Sequence, residues 1–221
     1  MRSQGEHKTP SAPEKGWLPL SRYVIFGGIL AGGLIADLAT KAWIFARLGM
    51  PGEKPVWWLI DGVFGFQTSL NEGALFGMGQ GMTALFALVA VVMAVGLPLW
   101  LFWSRAASDW RLAAAGGAVT AGILGNLYDR LGFPGLVWNY PGELHQVGEP
   151  VYAVRDWILV MIGSWPWPNF NIADSLLVCG VAVICLHALL AGDVEQKASR
   201  ETNAKAENKK QAPIAVEKNA R

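Results

Sequence analysis

Four apolar stretches, at about 22–44, 82–103, 112–131 and 170–191, divide this chain, because a helix crossing a membrane needs ~20 mostly apolar residues. Polar and ionisable residues fall at particular ends of these runs. Asp37 and Lys41 close the first, Asn71 precedes the second, Asn126, Asp129 and Arg130 close the third, and Asn171 and Asp174 open the fourth. If the helices alternate in direction, all of these groups meet at one membrane face. An ionisable residue inside a bilayer is costly and by default marks a functional site.

Composition supports that division. With 52% hydrophobic residues, 11 Trp and 16% charged residues, the chain is too apolar for an ordinary soluble domain. The first and third runs reach spanning length only by including polar residues. The predicted fold class is an all-α membrane protein of four transmembrane helices with a small extracytoplasmic β-region. Residues 1–21 read as a disordered cytoplasmic tail, 22–191 as the membrane domain and 192–221 as a charged cytoplasmic tail. Tyr23 to Ala36 could pass for a signal-peptide core, but the run continues into Asp37 and Lys41 without a convincing cleavage site. Lys and Arg concentrate in the tails (Arg2, Lys8, Lys15, Arg22; Lys197 to Arg221) and between runs two and three (Arg105, Arg111). Positive charge favours the cytoplasm, so both termini are expected there and links 47–81 and 132–169 outside. A net charge of +1 leaves no nucleic-acid footprint.

Several features read as structural. Gly27, Gly28, Gly32 and Gly33 would let the first helix approach a neighbour closely. Cys179 and Cys185 lie six apart on a helix, point apart and read as buried, inert thiols. His187 reads as packing near the cytoplasmic end. Residues 54–80, with the short apolar run Val56–Ile60, suggest a small extracytoplasmic strand region or an interfacial segment, and Val151–Ile162 a short helix or strand. Trp138, Trp157, Trp165 and Trp167 make link 132–169 resemble a lid on the bilayer surface. Run two has no polar interface, so a monomer is expected.

Asp37 and Lys41, four apart, share a helix face and can pair. Asn126 shares a face with both Asp129 and Arg130. Arg130 suits carbonyl or carboxylate binding, and Asp129 reads as a structural group neutralising Arg130 or another cation. Asp174, in NFNIAD, could be an ion ligand, a proton carrier or a catalytic acid. Asp156, in VRDW, is an ordinary surface charge unless the link folds it beside Asp174. Two close carboxylates in a poorly solvated place share a proton. One can then take a proton from water while the other protonates a peptide carbonyl. Such hydrolysis calls for no metal and no cofactor. No serine has a His in a plausible position, and no His cluster suggests a metal site.

The ordered set DLATK (37–41), NEGALFG (71–77), GNLYDR (125–130), VRDW (154–157) and NFNIADS (169–175) resembles the lipoprotein signal peptidases, or signal peptidase II. The resemblance covers about residues 22–190. It implies an intramembrane aspartic endopeptidase of the bacterial inner membrane, cutting diacylglyceryl-modified prolipoproteins just before the lipidated cysteine. It implies Asp156 and Asp174 as the catalytic pair and Asn71, Asn126, Arg130 and Asn171 as substrate contacts. Asp37, Lys41 and Asp129 would support the site, and the partners would be the prolipoprotein and membrane lipid. Three features depart from the family pattern: the long link from Arg130 to Asp156, Trp157 where Phe is usual, and the charged tails. The long link leaves Asp129 as the alternative second carboxylate. The rival from another class is a small membrane carrier or channel subunit, with Asp37, Lys41, Arg130 and Asp174 as a proton or ion relay. Its weakness is that these groups gather at one face instead of crossing the span.

Overall fold

The structure, a computed structural model, describes residues 17–73, 79 and 81–190. Nearly all of the two expected tails lies outside these residues. In chain order the elements are α1 (Leu20–Leu48), β1 (Trp57–Ile60), β2 (Phe64–Asn71), α2 (Thr83–Trp103), α3 (Trp110–Arg130), β3 (Val154–Ile162), β4 (Trp165–Phe170) and α4 (Ile172–Leu190). Three of the helices, α1, α2 and α4, are long and apolar enough to cross a membrane. Their side chains point outward: in α2 only Leu101 is buried, while Leu85, Leu88, Val92, Val95 and Leu99 are exposed. An apolar surface of that extent needs lipid around it.

The helix α3 is as long as α2 but differs in kind. It buries 12 of its 21 residues, mostly Ala, Gly and Thr, and takes the centre of the bundle. Glycine makes the close approach possible. A Cβ on Gly117 would stand 2.6 Å from the Phe26 carbonyl oxygen of α1, and one on Gly122 would overlap that of Ala173 in α4. The first helix packs closely on its neighbours as expected, but through only one of its own four glycines. Gly27, Gly28 and Gly32 meet nothing within 4 Å, and only Gly33 packs, against Leu176 and Ala121. The glycines that matter belong to the central helix, which has neighbours on several sides. The cysteine expectation is corrected: Cys179 and Cys185 are both exposed, Cys179 at the wall of the cavity described below.

A four-stranded antiparallel sheet in the order β1-β2-β3-β4 caps one end of the bundle. Pro166 and Pro168 fall in β4, an edge strand, where a missing N–H is tolerated. The 132–169 link is not one surface layer. Its second half supplies β3 and β4, and Trp157 is buried against Ile44 and Leu48 of α1. Trp138 is buried as well, while Trp165 and Trp167 are exposed.

Replacing Gly122 with Val is expected to cost about 1–3 kcal/mol through overpacking, whereas Gly28→Ala is neutral. Thermal unfolding of the two variants in detergent checks this; equal melting temperatures would contradict the central role of α3.

Candidate active site

Beneath the sheet lies a buried layer of charge built around Lys41. Its Nζ stands 2.8 Å from Asp37 Oδ2 and 3.0 Å from Asp129 Oδ2, and donates to Asn126 Oδ1 at 3.0 Å. Asp37 Oδ1 accepts the N–H of Ala173, in the first turn of α4. Asp129 holds Arg155 of β3 through three contacts: Nε at 2.8 Å, Nη2 at 2.8 Å and the backbone N–H at 3.1 Å. Two carboxylates and two cations thus sum to zero charge in a place without solvent. Burying such groups is tolerable only when they are paired and hydrogen bonded.

Above this layer stand Asp156 and Asp174, joined by Asn171. The sequence Asn171-Ile-Ala-Asp174 forms a reciprocal cap at the start of α4. Asn171 Oδ1 accepts the Asp174 N–H at 2.9 Å, and Asp174 Oδ2 accepts the Asn171 N–H at 3.1 Å. Asn171 Nδ2 then donates to Asp156 Oδ1 at 2.7 Å and to Asn126 Oδ1 at 3.1 Å. Asn126 Nδ2 donates to the other Asp174 oxygen, Oδ1, at 2.8 Å. Burial, and then the charge of Asp174, push the Asp156 carboxyl well above the usual carboxylate range. Hydrogen bonds from Asn171 and Asn71 and the charge of Lys41 offset this in part.

Both carboxylates line a cavity of about 840 Å³. Its walls are apolar, from Phe86, Val89 and Met93 of α2, Val119 and Ile123 of α3, and Leu177 and Val181 of α4. Its polar end carries Asn71, Asn126, Arg130, Asp156 and Asp174. A second cleft, of about 460 Å³, lies against β2 and is lined by Gln67, Thr68, Ser69 and Glu72. Asn71 and Asp156 border both spaces. Arg130 Nη2 donates to the Gly73 carbonyl at 2.9 Å, its guanidinium lies 5.7 Å from the Phe86 ring, and its Nε is buried without a hydrogen bond among the described residues.

The structure therefore brings every expected site residue to one end of the bundle. Asp156, read alone as a surface charge, is 3% exposed. Asp129 neutralises Lys41 and Arg155 rather than Arg130. Arg155 is a site residue to which the sequence motifs assign no role. Its signal was the run VRDWILVMI, whose first four residues are all buried, as in a strand covered on both faces. His187 pairs with Asp109 at 3.0 Å at the opposite end of the bundle, where Asp109 caps α3.

Apolar helices around a buried polar site define an integral membrane protein. The family model described as Signal peptidase (SPase) II matches residues 29–190. A lipoprotein signal peptidase of Rhodopirellula baltica is 43% identical over 180 residues, 81% of this chain and 78% of that protein. One from Rhodococcus jostii is 34% identical, over 81% of this chain and 79% of its own length. A bacterial membrane enzyme solved by the in meso method at 2.3 Å resolution shares the fold, with a TM-score of 0.59 and 22% identity, covering 90% of this chain and 96% of that one. The chain belongs to the signal peptidase II family, a family of membrane peptidases.

Two outcomes are expected from the electrostatics. Lys41→Met leaves Asp37 and Asp129 short of a cation in a dry place and should cost roughly 3–5 kcal/mol, read as a lower melting temperature in detergent. The second concerns pH. A carboxyl whose folded pKa lies above its unfolded value takes up a proton on folding. Its contribution to stability is therefore present at low pH and is lost as pH rises from about 3.9 through the raised value. Asp156→Asn should melt higher than wild type near neutral pH, with the gap closing towards about pH 4. A gap that widens on acidification would reverse the sign.

Proposed function

We propose that this chain is an intramembrane aspartic endopeptidase that removes signal peptides from diacylglyceryl-modified prolipoproteins, cutting just before the lipidated cysteine. The observation that carries this reading is the bridging of Asp156 and Asp174 by one residue, Asn171, at the junction of an apolar cavity and a polar cleft. The apolar cavity suits a signal helix and acyl chains arriving from the bilayer. The cleft against β2 suits water and the polar chain that follows the cysteine.

Asp156, the carboxyl pushed up by burial and by its neighbour, holds the proton. Asp174, accepting from two N–H donors, serves as the carboxylate. Asp174 removes a proton from water, whose oxygen attacks the scissile carbonyl carbon while Asp156 protonates the carbonyl oxygen. Collapse of the tetrahedral diol breaks the C–N bond. Asp174 gives its proton to the leaving cysteine nitrogen, and Asp156 recovers one from the diol. The products are a signal peptide with a new carboxyl end and a lipoprotein with a free cysteine amine. Asn71, Asn126, Arg130 and Asn171 orient the carboxylates and the peptide backbone, and Asp37, Lys41 and Asp129 support them from below. All four helices cross the bacterial inner membrane, both termini are cytoplasmic, and the working unit is a monomer.

Cleavage of a diacylglyceryl-modified prolipoprotein by purified protein tests this reading. Asp156→Asn and Asp174→Asn should each lose at least about a hundredfold in rate while remaining folded. Asp109→Asn, at the far end of α3, should cleave normally. Full turnover by either of the first two would exclude the dyad.

A further inference from the structure

Between α3 and β3 the chain makes an excursion, residues 132–153, that is a structure in its own right. Val137 and Pro150 form a β-bridge. Trp138 N donates to Glu149 O, Gly148 N to Trp138 O and Val151 N to Leu136 O, each at 2.9 Å. Trp138, Val151 and Ala153 bury themselves with Met50, and Leu70 of β2 packs against them. Asn139 also donates to Glu53. The excursion is thus seated on the end of β2 and on the turn after α1.

Its inner face presents His145. The imidazole stacks on Trp138 with ring centres 3.4 Å apart and planes within 8°, and Tyr140 meets its edge. Gly142 gives it room, since a Cβ there would overlap the ring. The side chain is 8% exposed, and its Nδ1 stands 3.4 Å from Glu72 Oε1. No residue of the proposed reaction uses this histidine.

Glu72 sits between the residues that matter. Asn71 hydrogen bonds the Asp156 carboxylate, and its Oδ1 accepts the Gly73 N–H at 3.0 Å. The Gly73 carbonyl accepts from Arg130, and the Glu72 carbonyl accepts from Thr83 Oγ1 at 3.2 Å. Past Asn71 this stretch has left the sheet, so it depends on such side-chain tethers. We propose that His145 is a positioning residue for the peptidase site: from the Trp138 wall of the 132–153 excursion it holds Glu72, and so fixes Asn71 against Asp156 and Gly73 against Arg130. The inference rests on the reading of Asp156 as catalytic.

The test is a cycle of His145→Phe and Glu72→Ala on the full-length protein in detergent, scored by kcat, KM and melting temperature with a diacylglyceryl prolipoprotein. Phenylalanine keeps the stack on Trp138 and removes the nitrogen facing Glu72. Each single variant should lose about tenfold in kcat with KM little changed, and the double variant should lose no more than either, as coupled neighbours do. Wild-type kcat in His145→Phe, or losses that multiply in the double variant, would overturn the proposal. Should His145→Phe not fold, Glu72→Ala decides: normal turnover overturns the proposal, and a kcat loss restored by Glu72→Gln sustains it. Asp156→Asn in the same assay separates this outcome from failure of the dyad reading. Normal cleavage there removes the dyad, whatever His145 does.

Discussion

The buried ammonium of Lys41 orders the polar end of this molecule. Left unpaired, a charge at such a depth costs several kcal/mol. It is paired with Asp37 on its own helix and Asp129 on α3, and Asp37 in turn receives the first turn of α4. One cation therefore ties three helices at a single level. The consequence travels further through hydrogen-bond polarity. Because Lys41 donates to Asn126 Oδ1, the Asn126 amide nitrogen is left to face Asp174. Because Asn171 Oδ1 is taken by the Asp174 N–H, the Asn171 amide nitrogen is left to face Asp156. Each amide has a single orientation that satisfies its neighbours, and the two carboxylates inherit their donors from it.

This arrangement needs a central helix that apolarity alone would not hold in place. The Ala and Gly residues of α3 bring little apolar area, but they let α1 and α4 come close enough for Asp37, Asn126 and Asp174 to touch across helix boundaries. A Cβ on Gly125 would overlap Asp37 Oδ2. The ion pairs and the small residues are thus parts of one solution: close helices shield the charges, and the charges hold the helices close.

Much of this was legible in the sequence, because the bilayer imposes a length and a polarity that can be read directly. The helices begin and end within about four residues of the apolar runs, and a rule of alternating direction suffices to gather Asp37, Asn126, Arg130 and Asp174. The pairing of Asp37 with Lys41 follows from helical spacing alone. What spacing could not supply was contact between elements of different period. Asp156 and Asp174 are separated by a strand, a hairpin and a second strand, so their approach depends on sheet register; only the family resemblance put them together beforehand. Asn171 was expected as a substrate contact, although the N-x-x-D pattern of a reciprocal helix cap was present in the chain. Arg155 and the Glu72–His145 pair were not foreseen, since one partner of each lies in a long link whose fold no local pattern specifies.

Register decides where the Asp156 side chain points. Asp174 is fixed by its own helix start, whereas Asp156 rides on β3, and a slip of one residue would turn it to the opposite face. Its ladder with β2 pairs Ser69 with Asp156 and Asn71 with Val154, but contains an irregularity between Phe66 and Ser69. A ladder with such a break defines register weakly by itself. Arg155 supplies the missing definition. Its guanidinium grips Asp129 in two places while its backbone N–H binds the same carboxylate. That pins residue 155 towards the charged layer and, by the alternation of a strand, commits residue 156 to the other face, where Asn171 meets it. Asp129 thus bears on the placing of Asp156 through Arg155 and the register of β3, so its place in the GNLYDR run and the position of Asp156 in VRDW are two ends of one constraint.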